Sequence, residues 1–403
     1  MEWTMGGKAK KYLDISSRMI IVLFDLYYML GPSFLQTIFP YRKGLVYVAT
    51  FLFGCIILSR YRYERYSRRE MLWVVSLLGA GMLSAYVTSE FTLVISAICI
   101  LSAVEADKAR LFQNLLFEKA GFLAVSFILS ATGIISTVSG SYERLYSFFG
   151  NSVVYRRSLG FTNYNILGRV IFELIILYIF YTWQKKRKRL SGGQYIALIG
   201  IAVCAYSVSG SRTAFLCELV LLAVMKLCDM AWIRPGMLKA LIMTTMAGGS
   251  WFFSEGVMIL HDVKPEWYQK LDIILQARLL FIYRYMLKFG ISLFGNDTTD
   301  LTDFWGMEEG FSWISLDCGY AVMMIKYGVI LTLLILLVHL MYLYGKNGKR
   351  CSTSVYVLCV MLAVGFYNIS ENVLVFPTMN FALLYLSDII IDKPQGDNIL
   401  AQE

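Results

Sequence analysis

The run from Tyr320 to Tyr344, YAVMMIKYGVILTLLILLVHLMYLY, decides the fold class. Roughly 17–25 apolar residues cross a bilayer as one helix. Lipid offers no partner for backbone N–H and C=O groups, so such a run must be helical, and it lacks the alternation of a β-barrel strand. Working outward, similar runs lie near 18–38, 44–59, 71–87, 91–104, 117–138, 163–183, 194–208, 213–230, 238–254, 353–367 and 373–391. The expected fold is therefore all-α: a polytopic integral membrane protein with about twelve transmembrane helices, residues 1–403 forming one transmembrane domain. The gap between the ninth and tenth runs, 255–316, is its one large loop.

Composition agrees. The 403 residues are 58% hydrophobic and 16% charged, with a mean hydropathy of +0.59, more apolar than a soluble domain of this length needs. The eight cysteines are scattered without a CxxC pair, which indicates neither a disulfide framework nor a metal site. A net charge of +9 could suggest nucleic acid. Its basic residues instead cluster in short loops between runs, where lipid headgroups and orientation signals account for them, so no nucleic acid partner is expected. There is no Walker-type glycine loop, HExxH or EF-hand pattern, and nucleotide and metal chemistry are not supported.

Placing the N-terminus in the cytoplasm puts the basic groups Lys8–Arg18, Arg60–Arg69, Lys185–Arg189, Arg234–Lys239 and Lys346–Arg350 inside, as the positive-inside rule prefers. The first apolar run carries Asp25 and is followed by no small-residue cleavage site, so it reads as a retained span. Both termini are then expected in the cytoplasm. The loops near 139–162, 209–212, 255–316 and 368–372 emerge together on the outer side.

Charged groups inside spans are costly and need a partner or a wet cavity. Arg169 sits about one turn inside its span, with Glu173 at helical ion-pair spacing. It is either a self-compensating pair or a cation facing a polar cavity. Asp25, Glu218 and Lys326 lie near span ends, from which they are expected to snorkel or fray. Arg212 stands in Ser209-Gly-Ser-Arg-Thr213, a turn whose hydroxyls and helix-start N–H groups suit an anion. A headgroup-contacting arginine is the plainer reading.

From Tyr268 to Phe289 the outer loop has helical periodicity, with Leu271, Ile274, Leu275, Leu279, Ile282, Met286 and Phe289 on one stripe. Arg278 falls about 20° from Leu271, in that stripe. It is expected to point into the protein, toward an anionic ligand. Arg284 and Lys288 fall on the polar side, Arg284 as a solvated charge or an outer substrate contact. Among the outer carboxylates Glu308, Glu309, Asp317 and Glu371, the second pair lies closest to helix starts, where partial burial raises a pKa toward that of a useful base. His261 is the alternative base, in an otherwise ordinary loop.

Taken together, Arg157-Ser-Leu-Gly-Phe-Thr-Asn-Tyr-Asn-Ile-Leu-Gly168, the Ser-Gly-Ser-Arg212 turn, the arginine-bearing outer helix and Leu316-Asp-Cys-Gly-Tyr320 resemble the Wzy-type polysaccharide polymerases and the related O-antigen ligases. The resemblance rests on motif order over most of the chain. It implies a bacterial cytoplasmic-membrane glycosyltransferase with the architecture of the membrane-embedded GT-C class. Such an enzyme moves a growing glycan from an undecaprenyl diphosphate carrier onto a lipid-linked oligosaccharide without metal, nucleotide or other cofactor, beside a chain-length regulator and a flippase. Arg212 and Arg278 would hold the donor diphosphate, and Asp317 or Glu371 would take the acceptor proton. Arg157, Asn163, Asn165, Arg169 and Arg284 would shape the substrate site. The ligases carry a candidate histidine base in their large loop, and His261 does not sit at a clearly matching position. A flippase for lipid-linked oligosaccharides is the competing reading, although the two halves of the chain show no repeat.

Overall fold

In the computed structural model, which describes residues 7–63, 67–144, 152–186, 189–298, 316–344 and 354–390, helix starts coincide with side chains able to cap them. Ser67 accepts from the Glu70 amide while the Glu70 carboxylate accepts from the Ser67 amide. Ser191 and Gln194 form the same reciprocal pair. Each box satisfies donors that a helix start leaves orphaned. Asp107 accepts from the amides of Ala109 and Arg110, so its helix begins well before the expected run at 117.

The order is α1 (Gly7–Leu30), α2 (Lys43–Tyr63), α3 (Arg68–Thr88), α4 (Thr92–Ser102), α5 (Lys108–Ala131), a hairpin of β1 (Ser139–Arg144) and β2 (Ser152–Arg157), α6 (Tyr164–Lys186), α7 (Gly192–Ser209), α8 (Arg212–Asp229) and α9 (Pro235–Trp251). Then follow α10 (Val257–Val263), α11 (Glu266–Ile274), α12 (Arg278–Phe289), α13 (Gly319–Val322), α14 (Gly328–Tyr344), α15 (Val355–Tyr367) and α16 (Ser387–Ile390). The antiparallel hairpin, pairing Ser139 with Arg157 and Arg144 with Ser152, is the one two-stranded sheet among the described residues, and a single β-bridge joins Ser33 to Phe161.

Six described helical units are long and apolar enough to cross a membrane: α2, α3, α5, α6, α7 and the joined α13–α14. The architecture is that of a helical membrane protein. Only 22% of the apolar window of α2, α3, α5 and α7 is buried, against 61% for α6, so α6 is central and the others offer apolar faces to lipid.

Three expected elements differ. The run near 91–104 yields an 11-residue, almost wholly buried α4. The run near 373–391 yields irregular backbone, a 3-10 turn (Phe381–Leu386) and the short α16. Irregular backbone is tolerated at membrane depth only where protein surrounds it, and side chains supply its bonds here. Asn368 Oδ1 accepts from the amides of Val373 and Leu374, and Asn380 Nδ2 donates to the Leu374 carbonyl.

The opening run is also interrupted. Met323–Tyr327 forms a π-helical turn ending at Gly328, whose φ is +79°. The backbone freed there pairs with the segment before it: Asn296 donates from its amide to Lys326 O and from Nδ2 to Ile325 O, and Val329 N donates to Ser292 O.

Gly319 brings two later segments together. Its amide donates to Asn368 O at 2.9 Å, and a Cβ there would overlap the Asn368 carboxamide. Gly319→Ala is expected to lower stability by about 1–3 kcal/mol, the usual cost of overpacking. Thermal unfolding in detergent measures it, and an unchanged midpoint would show that the 316–319 and 368–371 segments move apart freely.

Candidate functional site

Asn163 accepts from the Asn165 amide at 2.9 Å and so caps α6. The pair fixes where α6 begins, and with it the height of Arg169. Gly168 lies against Ser211, where an added Cβ would come within 2.6 Å of the serine Cβ. The starts of α6 and α8 therefore meet.

Sequence placed Arg278 on a continuous helix from 268 to 289, and that helix is broken. Gln276 and Ala277 adopt φ of +58° and +61°, separating α11 from α12. Ile274 is exposed, so the stripe does not run through. The Asp272 carboxylate spans the break, accepting from the amides of Leu279 at 2.8 Å and Leu280 at 3.3 Å. The inward direction of Arg278 survives because it shares its face with Ile282 and Tyr285, both buried. Arg284 lies on the exposed side of α12.

Arg278 Nη2 stands 3.9 Å from Asp317 Oδ2 and 3.9 Å from Glu371 Oε1, and Nη1 donates to Leu275 O at 3.4 Å. Both carboxylate contacts are longer than hydrogen bonds. The Nε–H is buried with no hydrogen-bond partner among the described residues. This guanidinium is neutralised but under-bonded, the condition of an anion-binding arginine between ligands.

Burial pushes the Glu371 carboxyl up to about 7, with Asp317 adding to the rise and Arg169 and Arg278 pulling it back. Burial likewise lifts the Cys318 thiol to about 12, which excludes a thiolate nucleophile beside Asp317. Three expected residues, Arg278, Asp317 and Glu371, thus form one cluster by distance, and Arg169 is near enough for its charge to act on Glu371.

Arg212 opens α8, half-buried, with no hydrogen-bond or ion-pair partner among the described residues. Part of the expected anion nest is already occupied. Ser209 Oγ accepts from the Ser211 amide, and Gly210 O accepts from Arg156 Nη2 at 3.1 Å. Arg156 also lies over the Tyr164 ring at 5.7 Å. The structure brings in Arg156, whereas the expected Arg157 is exposed. Neighbours on a strand face opposite ways, so the two could not both turn inward.

His261 is stacked on Tyr283, with 3.7 Å between ring centroids, and makes no contact with the carboxylate cluster. Glu308 and Glu309 lie outside the described residues.

Sequence reading missed a buried network. Asp25, expected to fray outward, is fully buried and lies 2.9 Å from Lys119 Nζ. Lys119 also lies 2.7 Å from Glu173 Oε2, while Glu173 Oε1 is 3.4 Å from Arg169 Nε. Glu218 is buried too, and Lys326 pairs with Glu90.

Searches against protein-family profiles, curated proteins and solved structures find no match to this chain. Fold and site together define a helical membrane protein in which α12, the residues before α13 and those after α15 bring an arginine and two carboxylates to one place beside the start of α6.

Proposed function

We propose that this protein is a polysaccharide polymerase of the bacterial cytoplasmic membrane. It spans the membrane about twelve times with both termini in the cytoplasm, and acts on undecaprenyl diphosphate-linked glycans at the outer face. The observation that carries the reading is the under-bonded Arg278 beside Glu371, a cation for a diphosphate next to a carboxyl that titrates near neutrality.

The chemistry then balances without a cofactor. The acceptor sugar hydroxyl attacks the anomeric carbon of the donor glycan, its proton passing to Glu371 and its oxygen forming the new glycosidic bond. The bond from that carbon to the carrier diphosphate breaks. Arg278, Arg212 and Arg169 stabilise the charge left on the diphosphate, as preorganised cations do for a developing anion. Asp317 keeps Glu371 basic, and the chain-length regulator and flippase of the same assembly supply and limit substrate.

One observation favours a flippase instead. A buried Asp25–Lys119–Glu173–Arg169 array is the kind of intramembrane charge series that transporters use. Purified protein supplied with lipid-linked repeat units separates the two. Polymerisation predicts a ladder of longer chains, and translocation in vesicles without elongation would overturn it.

A further inference from the structure

Lys119 lies at the centre of the buried array. It is 1% exposed and has two carboxylate neighbours, Asp25 on α1 and Glu173 on α6. The Phe381 ring lies 5.6 Å from its ammonium, and the adjacent Glu118 has both carboxylate oxygens buried without a hydrogen-bond partner. Charges alternate along Asp25, Lys119, Glu173 and Arg169, with Glu118 a further acidic neighbour of Asp25 and Lys119. Arg169 is the last member, and it lies where α6 meets the end of α15: Phe172, three residues on, packs against Tyr367 with 5.1 Å between ring centroids, four residues before Glu371, on which the charge of Arg169 acts.

We propose that Lys119 is a positioning residue for the candidate site: by occupying one oxygen of Glu173, it leaves Arg169 only partly committed to Glu173 and able to lean toward Glu371. Glu371 is faced by Asp317 from the 316–318 segment, Arg278 from α12, Arg169 from α6 and Tyr367 from α15. Of these, Arg169 alone is tied by an ion pair to the buried array. How far it leans toward Glu371 depends on how much of Glu173 is already neutralised. Coulomb attraction is strongest where water is excluded, so a Glu173 relieved of Lys119 draws Arg169 inward. The Glu371 carboxyl then loses a neighbouring positive charge and holds its proton more tightly.

This inference deepens the polymerase reading and rests on it only for the role of Glu371 as base. Its test does not require elongation. The carboxylic C=O stretch of Glu371, assigned by its absence in Glu371→Gln, is followed by infrared difference spectroscopy of the purified full-length protein across pH. Two variants keep the buried charges matched. Lys119→Met with Asp25→Asn leaves Arg169 as the one cation facing Glu173, with Glu118 unchanged beside it, and the midpoint of Glu371 is expected to rise by about one pH unit. Glu173→Gln leaves Lys119 with Asp25 and releases Arg169 toward Glu371, and the midpoint is expected to fall by a similar amount. Shifts of opposite sign are not the result of general loosening. An unchanged midpoint in both folded variants, or shifts of the same sign, would overturn the proposal. Normal shifts without any elongation would instead remove the polymerase reading and leave this one standing.

Discussion

Arg278→Ala is expected to reduce chain elongation by on the order of 10²–10³-fold, the loss that follows removal of one preorganised group facing developing negative charge. Arg284→Ala, six positions further along α12, is expected to retain most activity. The two arginines differ in what surrounds them. Arg278 is 15% exposed and lies near Asp317 and Glu371, whereas Arg284 is on the solvent-facing side of the same helix. Arg278→Lys should recover only part of the loss, because a point charge cannot present the forked donors that bridge two oxygens. Part of the alanine effect is indirect. Removing the cation leaves Asp317 beside Glu371, so the Glu371 carboxyl holds its proton to higher pH. Assaying Arg278→Ala at alkaline pH restores the base and isolates the loss of anion binding. Equal losses at Arg278 and Arg284 would refute the assignment of the inner face of α12, and Arg212→Ala should behave like Arg278→Ala.

The inward aim of Arg278 was legible because a helix repeats its faces every 3.6 residues, and an arginine among leucines and isoleucines is improbable on a solvated face. Asp317 was legible as a carboxylate just before a helix start, whereas Glu371 lies just past the end of α15, its amide donating to Tyr367 O, since the chain after it continues as irregular backbone and not as the expected helix; the ranking between the two was not legible. Asp25 is buried, not frayed outward, for an identifiable reason. A reading along the chain measures distance to a span end, whereas the partner that holds Asp25 buried is Lys119 on another helix. The same reason hid the last expected span. Its backbone is satisfied by the side chains of Asn368 and Asn380, and apolar composition alone does not distinguish buried irregular chain from helix. Register explains Arg156 and Arg157: once β2 pairs with β1, alternation decides which arginine reaches Gly210, and nothing in the local residues announces that pairing.

Glu371→Gln is expected to lower the elongation rate by roughly 10²–10⁴-fold, the range for loss of a general base, whereas Asp317→Asn should remain active with an altered pH profile. The asymmetry follows from burial. The Asp317 side chain is 44% exposed and that of Glu371 is 20% exposed, and burial is the largest cause of the rise of Glu371 to about 7. A base works in its deprotonated form, so the wild-type rate should increase with pH through about 7 and level off above it. Asp317 is one of the groups raising that value. Replacing it with asparagine removes a neighbouring negative charge, lowers the Glu371 pKa and moves the acidic limb to lower pH. At pH 6 the Asp317→Asn enzyme should therefore retain a larger share of its plateau rate than wild type does. Profiles of the rate against pH for the two variants decide the assignment. A dead Asp317→Asn enzyme beside an active Glu371→Gln enzyme with a displaced limb would exchange the roles of the two carboxylates.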